Sequence, residues 1–109
     1  MKVYSQKTIN SVRDSFPAGT VFSFDDFLQA CPFTIEELKV VTRKADVAQW
    51  RQIGMTWYAM EHISITKAGK FFNKHRLTAH YAMVCVRDRK FSPMLNQKVN
   101  CILGPKTDK

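Results

Sequence analysis

The stretch Gly54-Met55-Thr56-Trp57-Tyr58-Ala59-Met60-Glu61-His62-Ile63-Ser64-Ile65-Thr66 decides how this chain is read. Its two halves, Met55 to Met60 and Ile63 to Thr66, are rich in the β-branched and aromatic residues that favour a pleated, half-buried surface. Glu61 and His62 separate them, so the stretch predicts a β-hairpin opening just after Gly54. Alternation along the first strand puts Trp57 and Ala59 on one face and Tyr58 and Met60 on the other, which leaves one aromatic for the core and one for a partner.

Upstream of the hairpin the signals are helical. Ile9, Val12 and Phe16 recur at spacings of three and four, which predicts a helix over 7–16, broken by Pro17-Ala18-Gly19. Thr20 to Phe24 reads as a short strand that runs into a helix start. There Ser23 is the cap, Asp26 the residue three places on, and Phe22 with Phe27 the hydrophobic staple. That helix ends at Cys31-Pro32-Phe33, because a proline ring cannot continue the hydrogen-bond ladder. The signature repeats at once with Thr34 as cap, Glu37 as box residue, and Phe33 with Leu38 as staple. The second helix either runs as one stripe through Leu38, Val41, Ala45 and Ala48 or restarts at Asp46; both readings end at Gly54. Downstream, Thr66 is the expected cap of a helix through about Arg76, with Ala68, Phe71 and Phe72 inward. Residues 79–90 fit a strand or a helix equally, and Val99 to Leu103 reads as a last short strand.

Helix, short strand, two capped helices in close succession and a two-stranded hairpin: in this order residues 8–66 resemble the winged-helix variant of the helix-turn-helix. The resemblance implies an α+β fold, a small winged-helix-like domain with an additional C-terminal element. It further implies a helix after Thr34 that enters the major groove of DNA and a hairpin that touches the backbone or minor groove. The same fold also serves as a protein-binding module.

Length and composition bound the rest. The chain has 109 residues, 45% hydrophobic and 24% charged, which suits one folded domain over 1–104 with a flexible tail at 105–109. No apolar run approaches the ~20 residues of a membrane span, and no secretory signal is visible at the start, so a cytoplasmic protein without membrane contact is expected. Cys31, Cys85 and Cys101 form no Cys-x-x-Cys pair and are read as buried thiols. His62, His75 and His80 lack metal-ligand spacing, the Asp25-Asp26 and Glu36-Glu37 pairs are explained by capping, and no glycine-rich phosphate loop occurs. Neither enzyme, metal nor cofactor is expected.

Charge is the strongest functional signal. Lys plus Arg number 17 against 9 for Asp plus Glu, a formal net charge of +8 and a pI near 9.7. The first 40 residues hold four basic and five acidic residues, net −1, and the remainder holds thirteen and four, net +9. Between Glu61 and Asp88 there is no acid, while Lys67, Lys70, Lys74, Arg76 and Arg87 accumulate among aromatics and histidines. Such a stripe neutralises phosphates. The expected nucleic-acid contacts are Lys67, Lys70, Lys74, Arg76, Arg87, Arg89 and Lys90 for docking. Lys39, Thr42, Arg43, Lys44, Gln49 and Arg51 are expected from the presumed reading helix, and Trp57 and His62 from the hairpin. Glu36 and Glu37 in the first turn of that helix repel phosphate, a conflict within the scheme. The function expected is a small basic regulator that binds nucleic acid, double-stranded DNA first, with homodimerisation through residues 77–103 open. The alternative is a protein-binding adaptor or inhibitor whose basic face meets an acidic protein.

Overall fold

A computed structural model describes residues 2–40 and 44–102. Seven helices follow one another there: α1 (Lys2–Asp14), α2 (Phe24–Ala30), α3 (Ile35–Lys39), α4 (Ala45–His62), α5 (Ile65–Phe71), α6 (Arg76–Arg87) and α7 (Pro93–Ile102). Among the described residues there is no strand, so the fold is all-α, and both the α+β expectation and the winged-helix resemblance are overturned. The expected wing is the second half of α4 together with α5.

The reason lies in how α4 is buried. Trp50, Ile53, Gly54, Met55, Thr56, Trp57, Ala59 and Met60 are all buried, which leaves little polar surface on any side of the helix after Gln52. A helix enclosed on nearly all sides has no 3.6-residue stripe, and a continuous apolar run cannot be told from a buried strand by periodicity. Gly54 is not a terminus but a packing point. A Cβ there would lie 2.8 Å from the ring of Phe27 and 3.1 Å from that of Phe72, so the missing side chain lets both rings close on the helix. The helix ends instead at Ile63, which takes the left-handed conformation at φ 52. The Ser64 backbone N–H returns to the Ala59 carbonyl at 3.1 Å, closing the turn as helix C-termini commonly do. The Ser64 hydroxyl then accepts the Lys67 N–H at 3.1 Å, so Ser64, not Thr66, caps α5.

The other caps lie where the sequence puts them. Ser23 accepts from Asp26 and opens α2, while Thr34 and Glu37 form a reciprocal capping box on α3, at 3.1 and 2.8 Å. The helix after Thr34 stops at Lys39. A separate helix starts at Ala45, close to the restart at Asp46, and residues 41–43 lie outside the described residues. Thr20 to Ser23 link α1 to α2 without strand pairing, because Phe22 is held by ring packing and not by a neighbouring strand. Residues 79–87 are helical in α6, with Ala79, Met83 and Val86 inward. Val99 is a buried residue of α7; Leu103 and the tail at 105–109 lie outside the described residues.

α4, α5 and α6 pack mutually, α1 joins them along α6, and α2 and α3 lie on α4. One hydrophobic cluster runs through them from Ile9 to Ile102. No helix among the described residues is long and apolar enough to cross a membrane.

Candidate nucleic-acid interface

The acid-free stretch folds as one unit, α5, a four-residue turn and α6. Its geometry follows from two residues. Gly69 brings the helices together: a Cβ there would sit 2.8 Å from the Lys74 carbonyl oxygen and 3.2 Å from the Arg76 nitrogen. Asn73 turns the chain at φ 58, a left-handed value that Asn tolerates better than most residues. The Lys74 N–H then donates to the Gly69 carbonyl at 2.7 Å. His75 opens α6 as its cap, with Nδ1 accepting the Leu77 N–H at 3.1 Å. No acid occupies the first turn of either helix.

The side chains sort cleanly. On α5, Ile65, Ala68 and Gly69 face the core, while Lys67 and Lys70 are exposed. Lys74 is half-buried in the turn, and Arg76 is exposed at the start of α6. α6 buries Ala79, Ala82, Met83, Cys85 and Val86 and turns Arg76, Leu77, Thr78 and Tyr81 to solvent, with His80 half-buried. Leu77 and Tyr81 are 57% and 56% exposed.

Lys39 joins this group from α3. Its ammonium lies 4.4 Å from the centre of the Phe71 ring, a cation–π contact, and Phe71 stands one turn after Lys67. Tyr58 stacks on Phe71 at 4.5 Å and 18°, and His62 lies on Tyr58 at 4.2 Å. Two rings this close cannot share one face of Tyr58. Lys39, Phe71, Tyr58 and His62 therefore follow one another in contact, and the series ends in the exposed His62 ring.

Four residues expected to touch nucleic acid are held within the fold instead. Trp57 is fully buried, with Phe16 and Phe22 edge-on around it, so its ring is not available to a partner. Arg51 is buried; Nε and Nη2 donate to the Leu38 and Val40 carbonyls at 2.5 and 2.8 Å, closing the end of α3, and burial pulls its guanidinium below the usual range. Arg87 pairs with Asp88 at 2.9 Å and donates to the Ser11 hydroxyl at 3.0 Å; its hydrogen bond holds the Asp88 carboxyl below the usual carboxylate range. Arg89, at φ 51, lies over the Phe16 ring at 4.2 Å and donates to the carbonyls of Ser15 and Val86. Arg87 thus anchors α6 to α1 about 16 Å along the helix from Arg76, and Arg89 anchors the turn that follows the helix.

The remaining expectations divide as follows. Gln49 is half-buried on α4, Lys44 is the exposed residue before it, and Lys90 is exposed after α6. Thr42 and Arg43 lie outside the described residues. The arrangement also brings forward Leu77, His80 and Tyr81, which the sequence reading left out of the contact set. Their signal is the helical stripe through His75, Ala79, Met83 and Val86, which puts Leu77 and Tyr81 one turn apart on the opposite side. Compared with known protein families, curated proteins and solved structures, the chain matches none.

Proposed function

We propose that this protein binds nucleic acid, duplex DNA in particular, through the face made by α5, its turn and the first half of α6. The observation that carries the reading is the coincidence of the acid-free stretch with a single two-helix unit: Lys67, Lys70, Lys74 and Arg76 belong to it, and Lys39 reaches it over Phe71. Glu36 and Glu37, which opposed the helix after Thr34 as the reading helix, lie in the first turn of α3 and not on α5 or α6. A helix about 10–12 Å across fits a major groove about 12 Å wide, with the preceding helix on the backbone.

The test is a gel-shift titration on duplex DNA across a salt series. Retardation at low salt is expected, with affinity falling steeply as salt rises. Lys67→Glu combined with Lys70→Glu should weaken binding on all sequences alike and flatten the log–log salt slope by about 2, since each neutralised phosphate contributes about 0.9. Absence of retardation at micromolar protein and low salt would overturn the reading. So would a variant that binds as wild type does.

A further inference from the structure

Four side chains of α6 are exposed, and two of them, Arg76 and Thr78, suit a phosphate-binding face while the other two do not. Leu77 and Tyr81 are large and mostly in solvent, and they stand one helical turn apart on the side opposite Ala79, Met83 and Val86. Arg76 and Thr78 flank Leu77, and His80 precedes Tyr81. Tyr81 is 56% exposed, so the face of its ring is offered to solvent beside the Leu77 side chain. The patch is therefore apolar at its centre and cationic at its N-terminal edge, with Lys67, Lys70 and Lys74 on the preceding helix and turn.

A polyanion complementary to that edge must also offer something apolar to the centre. In the major groove the apolar group on a base edge is the 5-methyl of thymine. Resting on the duplex-DNA reading above, we infer that Leu77 and Tyr81 form a thymine-methyl contact and that this chain prefers duplexes carrying thymine where α6 docks. Arg76 and the lysines set affinity through phosphate, and the apolar pair supplies sequence preference through a group that carries no charge.

The experiment separates the two layers. Duplexes are enriched from a randomised library with the wild-type protein at low salt, then resynthesised with deoxyuridine in place of thymidine, which removes the methyl and nothing else. Wild type is expected to bind the uracil duplex about fourfold more weakly for each methyl contacted, the fold-change that corresponds to about 0.8 kcal/mol per buried carbon. Leu77→Ala combined with Tyr81→Ala, both at exposed positions, should remain folded by circular dichroism and bind the two duplexes equally with an unchanged salt slope. Equal wild-type binding of both duplexes would overturn the inference while leaving the DNA reading standing. A double variant that keeps the wild-type ratio would do the same, as would a wild-type dimer that this variant dissociates. Failure of the wild type to retain any duplex would remove both.

Discussion

Replacing Trp57 by alanine is expected to remove about 3–5 kcal/mol of stability, the range for truncating a buried aromatic. Folded domains commonly hold only about 5–15 kcal/mol in total, so the variant should sit near the edge of unfolding. The site explains the size of the loss. Trp57 is 0% exposed, with Phe22 at 5.4 Å and Phe16 at 5.9 Å, each edge-on to it, and Phe16 and Phe22 are themselves perpendicular at 5.3 Å. These rings join α4 to the α1–α2 link. Among the described residues the indole N–H has no hydrogen-bond partner, which makes Trp57→Phe a sharp comparison. Phenylalanine removes the orphan donor, whose burial costs about 1–3 kcal/mol, and offsets part of the volume lost. Its net cost should stay below about 1.5 kcal/mol. Urea denaturation reads both variants through the midpoint at constant slope. A Trp57→Ala protein with wild-type stability and impaired DNA binding would return the ring to the surface, against the packing described.

The second large effect is expected at Gly69. At an open helical position, Gly→Ala stabilises by up to about 1 kcal/mol through backbone entropy. Here the new methyl meets the Lys74 carbonyl oxygen at 2.8 Å and the Arg76 Cα at 3.3 Å, and these are backbone atoms that cannot rotate away. Gly69→Ala should therefore be destabilising despite its better helix propensity. Gly69→Val, with two more methyls, should cost about 3 kcal/mol, the upper part of the overpacking range. Because the same contact fixes α5 against α6, duplex affinity should fall further than in the Lys67→Glu, Lys70→Glu protein measured at high salt, where charge is screened. Thermal melting and gel shift on the same preparations check both halves. A stabilised Gly69→Ala protein would contradict the close approach.

What was legible in the sequence was local chemistry. Ser23, Thr34 and Glu37 announce two helix starts through side-chain hydrogen bonds to nearby backbone, and these need no tertiary context. The acid-free interval from Glu61 to Asp88 marks the basic unit by composition alone. The failure at residues 54–66 has one physical cause: β-branched and aromatic residues report burial as much as strand, and α4 is buried on nearly every side. Gly54 strengthened the error, since a glycine that ends an element and one that admits two phenylalanine rings look alike in one dimension. Arg51, Arg87 and Arg89 were illegible for a different reason. A basic residue counts toward net charge whether it faces a phosphate or a carbonyl, and only folding shows which helix ends need its donors.

The grip of Arg87 on Ser11 and of Arg89 on Ser15 also bears on how quickly the chain can fold. These bonds join residues 76 and 74 positions apart, whereas α4, α5 and α6 are consecutive in the chain. Loop closure rises only with the logarithm of length, so bringing α1 home across such a span costs about 1.8 kcal/mol more than closing a loop of about ten residues. The packing of α1 on α6 and of α2 on α7 therefore adds only a modest closure cost to a topology otherwise made of near neighbours, and folding in microseconds to milliseconds is the expected outcome in a rapid-mixing experiment.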